Sequence, residues 1–184
     1  MPRHSTADWV RMAAPAAIVM SIAPLAHANR YLTVEEAQHL AFPEATQFAE
    51  AHIVFRPAEI AAIETLSGQR VRTRGQQVWR ALAGGRLLGF FVVDYVIGKH
   101  LAIDYSVALE PDGRVRAVEV LEYREAYGSE ITSHSWLRQF AGKTGRDPVA
   151  VDKDIRNISG ATLSSQHVTE GVKRILAVYD TCLR

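Results

Sequence analysis

Cysteine is almost absent from this chain of 184 residues, and Cys182 is its only thiol. A single thiol excludes an intrachain disulfide, and it excludes a thiolate zinc cluster or an iron–sulfur centre built from this chain alone. The seven histidines are scattered, with no HExxH motif and no pair four residues apart. The sequence therefore predicts no metal site.

The chain also lacks an excess of charge of either sign. Its 21 basic and 20 acidic side chains leave a formal net charge of +1. A chain so balanced has no long-range field with which to attract nucleic acid, so we predict no nucleic-acid partner. With 48% hydrophobic and 22% charged residues, the composition is that of an ordinary globular domain.

The first 28 residues are typical of a secretory signal. Arg3 and Arg11 provide positive charge, and residues 13–26 form an apolar stretch too short for an ordinary membrane span. Residues 26–28 read Ala-His-Ala, the small-x-small pattern of a cleavage site. We therefore predict a cleaved signal peptide over 1–28 and a periplasmic or otherwise extracytoplasmic protein. An uncleaved anchor, which would keep the protein on the membrane, is the alternative.

Residues 29–70 are expected to form an N-terminal helical segment packed on the main domain. Thr33 and Glu36 have the spacing of a capping box at the start of a helix over 33–42. A second helix is predicted over 57–66, because proline suits the first helical turn and Gly68 provides a stop.

From residue 71 the hydrophobic period changes to that of strands. Segments rich in β-branched and aromatic residues are separated by short turns that contain glycine. The predicted strands cover 78–82, 87–97, 101–109 and 115–122. Consecutive strands with short turns predict an α+β fold, in which an antiparallel sheet of about four or more strands is flanked by helices. The main domain is assigned to residues 71–184.

The last third of the chain is predicted to be mostly helical. Trp136 and Phe140 at helical spacing are typical of a buried helix face. A longer amphipathic helix is expected from near Ser164 or Ser165, because one apolar stripe follows the helical period through Val168, Val172, Ile175, Leu176 and Tyr179.

Small and hydroxyl residues collect directly in front of that last helix, in the stretch SGATLSS over 159–165. Glycine and alanine allow the backbone to approach a ligand closely, and the first turn of a helix presents free amide donors. Such a site suits a phosphate. Serine and threonine at a helix start also serve as simple caps, and spacing alone favours that alternative.

The same stretch resembles the flavinylation motif of the FMN-binding domain family, which includes the covalent-flavin subunits of sodium-translocating and Rnf-type electron-transport complexes. The resemblance implies that FMN is joined through a phosphoester to Thr162 and that a flavin transferase attaches it. It also implies an FMN-binding-domain-like fold. Cofactor contacts are then expected from the neighbouring motif residues, which are Ser159, Gly160, Ala161, Leu163 and Ser164.

A loop upstream extends the resemblance. The family commonly has ETPG near the flavin, and residues 125–128 read EAYG, so Glu125 and Gly128 match while Ala126 and Tyr127 differ. The resemblance implies that Glu125 and Gly128 contact the cofactor. The order of turns and strands from about residue 78 to 183 is also similar to that of the family.

The function that this resemblance implies is that of an exported flavoprotein. It would relay electrons between a membrane or periplasmic donor and redox protein partners. No residues suited to substrate turnover are evident, so no catalytic residue is assigned and an electron carrier is favoured over a stand-alone enzyme. Two alternatives remain open at this point: a flavin-dependent reductase that acts directly on a small acceptor, and a non-redox interaction module.

Overall fold

The structure, a computed structural model, describes residues 29–184, so the predicted signal or anchor over 1–28 lies outside the described residues. A π-helical turn, Tyr179–Leu183, follows the last α-helix. The strands and α-helices occur along the chain as β1 (Asn29–Arg30), α1 (Val34–Ala41), β2 (Gln47–Val54), α2 (Pro57–Ser67), β3 (Gly75–Ala83), β4 (Arg86–Ile97), β5 (Ala102–Leu109), β6 (Val115–Tyr123), α3 (His134–Leu137) and α4 (Thr162–Val178).

The six strands form one antiparallel sheet in the order β1-β6-β5-β4-β3-β2. Four consecutive strands, β3 to β6, are joined by short turns, and the β3–β4 turn uses Gly84 and Gly85 with positive φ angles of 56° and 81°. Glycine adopts this left-handed backbone without the steric cost that a side chain would add. The predicted α+β fold with an antiparallel sheet is confirmed.

The sequence suggested that the segment 29–70 is helical. The structure shows that this segment also supplies both edge strands of the sheet. β1 pairs with β6, and β2 pairs with β3 along its full length, from Gln47 opposite Leu82 to Val54 opposite Gly75. The β2 sequence, QFAEAHIV, contains two alanines and one glutamate, which are poor strand formers. Pairing with β3 therefore decides the conformation here, and local propensity does not reveal it.

Helices cover both faces of the sheet. On one face, α4 and α3 pack over the strands and α2 packs against α4, and the largest apolar cluster joins Val92 and Val107 of the sheet to Val172 of α4. On the other face, α1 and Phe42 cover a smaller cluster that includes Phe91. Trp136 and Phe140 are buried in the larger cluster, as their helical spacing predicted.

α4 begins at Thr162, two residues before the earliest predicted start. Its apolar stripe is buried as expected, with Val168 and Val172 fully inside. The stripe does not extend into the first turn, so periodicity locates the body of the helix and not its beginning. No helix in residues 29–184 is long and apolar enough to span a membrane.

Candidate functional site

Thr162 is the first residue of the 17-residue helix α4, and its side chain is exposed. The residue before it, Ala161, is the N-cap, has a non-helical backbone and cannot donate or accept through its side chain. Gly160 has a φ of 86°, which turns the chain sharply before the helix. Because no side chain caps this helix, the amides of its first turn keep free donors at the helix end that carries Thr162.

The other hydroxyls of the motif divide into engaged and exposed groups. Ser165 is buried, and its Oγ donates to Asn157 Oδ1 at 2.9 Å. Ser164 is also buried, with its Oγ 3.4 Å from Tyr123 Oη. Ser159 is exposed, like Thr162. The alternative in which these hydroxyls serve as the cap of α4 is wrong, because none of them bonds to an amide of the first turn.

The loop over 125–128 lies directly against the motif. Gly128 has a φ of 88°, and a Cβ atom placed on it would lie 2.9 Å from the Ala161 Cβ and 2.9 Å from Tyr123 Oη. The same tyrosine hydroxyl donates to the Tyr127 carbonyl oxygen at 2.5 Å. The structure therefore places Gly128 beside the stretch 159–164, and Tyr123 joins the two segments.

Glu125 lies in the same loop, and its carboxylate holds the turn between β4 and β5. Its Oε1 accepts hydrogen bonds from the backbone amides of His100, at 2.5 Å, and Leu101, at 2.9 Å. Burial acts to raise the pKa of Glu125, but the backbone donors outweigh it, so the pKa lies below its ordinary value. A contact between Glu125 and the cofactor stays a prediction.

Gly98 shows how closely these segments meet. A Cβ atom on Gly98 would lie 2.9 Å from Glu125 Oε1 and 3.2 Å from Ser164 Oγ. The end of β4, the 125–128 loop and the first turn of α4 therefore meet in one tightly packed junction. Position 98 in this junction has room for glycine and not for a side chain.

His167 is a residue of this junction that the sequence did not reveal. Its Nδ1 lies 2.6 Å from the carbonyl oxygen of Ile97, at the end of β4. A carbonyl can only accept, so Nδ1 carries the hydrogen and fixes the ring tautomer. The available signal was a histidine two residues beyond the motif, which gives no indication of a partner 70 positions earlier.

The FMN-binding domain family matches residues 98–177, a stretch that runs from the β4–β5 turn through almost all of α4. This stretch belongs to the FMN-binding domain family. It contains Glu125, Gly128, His167 and the whole of SGATLSS, so the junction described above lies inside the matched domain except for Ile97 at the end of β4.

Two curated relatives resemble the FMN-binding domain and its surroundings. One, from Clostridium ljungdahlii, is a component of the proton-translocating ferredoxin:NAD(+) oxidoreductase complex and is 31% identical over 119 residues, which cover 60% of this chain and 64% of the relative. The other, from Stutzerimonas stutzeri, is a component of the ion-translocating oxidoreductase complex and is 30% identical over 111 residues, which cover 54% of this chain and 49% of the relative. The matched region thus spans between about half and two thirds of these relatives' own lengths.

A solved structure supports the fold. The crystal structure of NqrC from Shewanella oneidensis matches 82% of this chain and 87% of its own, with a TM-score of 0.55 and 19% sequence identity. At this identity the match concerns the fold alone, and it includes the antiparallel sheet with its flanking helices.

The residues of the FMN-binding domain fit a flavin phosphate. An uncapped helix start supplies amide donors and a positive dipole end, and an exposed hydroxyl stands on its first residue. Gly160 and Gly128 leave the adjoining backbone free of side chains. Apolar surface is available beside the hydroxyl, since Leu163 is 44% exposed and Tyr127 is 87% exposed. Among residues 29–184, no group of histidine, cysteine and acidic side chains is placed to hold a metal ion.

Proposed function

We propose that the protein is an exported flavoprotein in which FMN is joined by a phosphoester to Thr162, and that it relays electrons between a membrane or periplasmic donor and a redox protein partner. The observation that carries this proposal is an exposed threonine hydroxyl at the uncapped start of α4, inside an FMN-binding domain. A helix end that is left without a side-chain cap has amide donors to offer a phosphate.

Several groups around Thr162 would hold different parts of the cofactor. Amides of the first turn of α4 would hold the phosphate oxygens, and the dipole of the helix would offset their charge. Ser159 adds an exposed hydroxyl, while Gly160 and Gly128 allow the backbone to approach closely. Leu163 offers exposed apolar surface next to the attachment point. When bound, FMN supplies an isoalloxazine that accepts and returns electrons.

Attachment exchanges the O–H bond of Thr162 for an O–P bond. The flavin transferase that serves this protein must therefore present the FMN phosphate in an activated linkage, release its leaving group and accept the hydroxyl proton. A covalent bond prevents loss of the cofactor by dilution, which matters for a protein that works outside the cytoplasm.

Two features support a role in electron transfer between proteins. The curated relatives are named as components of ion-translocating and proton-translocating oxidoreductase complexes. This chain presents its site at a surface, with Thr162 and Tyr127 exposed on neighbouring segments. A redox partner can approach such a site without entering a deep pocket.

Covalent attachment is tested by the visible absorption of protein that is coexpressed with an active flavin transferase, then denatured and desalted. The expected result is flavin absorption with the unchanged chain and with Thr65→Ala, which removes an exposed hydroxyl of α2 outside the site, and loss of absorption with Thr162→Ala. Colourless unchanged protein, with the transferase shown to be active on another target, would refute the covalent proposal.

The electron-carrier role is tested separately with loaded protein and soluble donors and acceptors. We expect slow reduction and reoxidation without steady turnover of a small acceptor. Rapid turnover in the absence of any protein partner would instead identify a flavin-dependent reductase.

A further inference from the structure

A recess opens along the middle of α4, next to the junction at the start of that helix, and it shares Gly98 and His167 with the junction. It has a cavity volume of about 640 Å³ and lies between α4, the end of β4 and the segment 68–73 that follows α2. Four cations line it, and we call it the basic cleft: Arg70, Arg72, Lys99 and Arg174. A recess of this size accommodates a small molecule.

The most enclosed of these cations is Arg174. Only 19% of its side chain is exposed, and its Nη2 donates to Asp94 Oδ2 at 2.5 Å. Within residues 29–184 the guanidinium makes no other hydrogen bond, although it has five N–H donors. Arg174 therefore presents unused donors in a partly desolvated position, where a charge-assisted bond is stronger than in water.

Asp94 is committed to holding Arg174 in place. Its Oδ2 also accepts from the buried Tyr105 hydroxyl at 3.2 Å, and its Oδ1 accepts from the Tyr95 amide at 2.8 Å. A carboxylate with these partners orients the guanidinium and has little capacity to attract a cation. The arrangement therefore leaves the open side of Arg174 as an anion-binding group.

The two arginines on the facing wall sit on a segment that is held in shape. Gly68 ends α2 with a φ of 69°, and the Val71 amide donates to Glu64 Oε1 at 3.0 Å. Val71 packs against the apolar cluster beneath α2 and α4. Arg70 and Arg72 flank this anchored residue, so the backbone that carries them is fixed before any ligand binds.

The balance of charge in the cleft favours an anion. Its four cations face two carboxylates, of which Asp94 is paired with Arg174 and Glu170 accepts a bond from Gln166. Among the ion pairs of residues 29–184, none involves Arg70, Arg72 or Lys99. Local positive charge is thus concentrated here in a chain whose net charge is only +1.

We propose that the basic cleft binds a small soluble oxyanion with two or more negative charges, either a phosphate ester or a polycarboxylate. Arg174 would bind it from the floor of the cleft, and Arg70, Arg72 and Lys99 would bind it from the walls. Thr162 does not line the cleft, although Gly98 and His167 belong to both the cleft and the junction at the start of α4. The proposal holds whether or not Thr162 carries a flavin.

The test is isothermal titration calorimetry on the purified protein, in flavin-free and flavin-loaded forms, with pyrophosphate and with citrate as probes. We expect one saturable site for at least one probe, with affinity that falls as salt is raised. The double variant Arg70→Gln/Arg72→Gln should weaken binding by about tenfold or more, since each arginine provides a charge-assisted bond. The double variant Arg80→Gln/Arg86→Gln removes the same charge from exposed positions outside the cleft and should change affinity by less than about twofold.

Arg174→Lys provides a second variant that keeps a positive charge beside Asp94. It should weaken binding by about tenfold while the melting temperature stays within a few degrees, because a lysine lacks the forked donors. The proposal is overturned if neither probe saturates, or if the two double variants weaken binding equally. It is also overturned if the protein binds vesicles of anionic phospholipid through these arginines and neither soluble probe, since the cleft would then be a membrane contact.

Discussion

Gly128 and Ala161 are in direct contact across 33 positions of sequence, and any side chain at Gly128 would place its Cβ only 2.9 Å from that of Ala161. The contact joins the 125–128 loop to the residue immediately before Thr162. Position 128 requires glycine for two reasons: the contact leaves no room for a side chain, and the backbone has a φ of 88°.

Gly128→Ala should therefore destabilise the protein and lower flavin attachment. Left-handed strain together with the clash is expected to cost about 3 kcal/mol in free energy of unfolding. The matched control is Gly142→Ala, which has a similar φ of 80° and nothing within 4 Å of the added Cβ, so only the strain of about 1 kcal/mol should appear. Urea denaturation measures both values. Equal losses for the two variants would contradict a packed contact at Gly128.

The hydroxyl of Thr162 should be needed for flavin attachment and not for folding. Thr162→Val keeps the shape of an exposed side chain, so we expect a free energy of unfolding within about 0.5 kcal/mol of the unchanged chain and no bound flavin. Thr162→Ser retains an oxygen at the same helix position and should keep measurable flavin. Thermal denaturation and flavin absorption are the two measurements. Wild-type flavin content in Thr162→Val would place the attachment elsewhere.

Glu125 should make stability depend on pH through its bonds to the β4–β5 turn. Because its pKa in the folded state is lowered, its contribution is present above the ordinary pKa of a glutamate and is lost as pH falls through the folded-state value. Glu125→Gln removes the ionised acceptor and should cost about 1–2 kcal/mol near neutral pH. The difference between the two proteins should shrink in acid, as measured by urea denaturation across pH. A difference that is the same at neutral and acid pH would contradict the role of its charge.

Gly171 allows α4 to pack closely on β5, because a Cβ atom at this position would meet the hydroxyl of the buried Tyr105. Gly171→Ala is expected to cost about 2–3 kcal/mol. Tyr105→Phe alone should cost about 1 kcal/mol, through loss of the bond to Asp94. In the double variant the clashing oxygen is gone, so the combined loss should be smaller than the sum by about 1 kcal/mol. Additive losses would show that the hydroxyl is not the obstacle.

Local patterns in the sequence predicted the parts of the fold that local chemistry determines. The capping box of Thr33 and Glu36 is present as expected, and the strands from β3 to β6 were visible in their β-branched runs and glycine turns. β2 was not visible, because its pairing with β3 outweighs its composition. The predicted start of α4 lay after the observed one, because the first turn of the helix carries no apolar stripe.

The prediction of the candidate site depended on the family resemblance more than on the pattern of residues in the sequence. Spacing alone favoured a simple cap at SGATLSS, whereas the structure shows an uncapped helix. The bond from His167 to Ile97 and the grouping of Arg70 and Arg72 with Arg174 arise only when distant segments meet. No local period records such contacts, so a single sequence does not disclose them.

Tandem mass spectrometry of the tryptic peptide 157–173, from protein coexpressed with its flavin transferase, tests the central claim most directly. The peptide contains Thr162 together with the other hydroxyl residues of the motif. The expected result is an FMN phosphoester whose fragment ions locate it on Thr162. An unmodified peptide in the presence of an active transferase, or an adduct located on another residue, would contradict the claim.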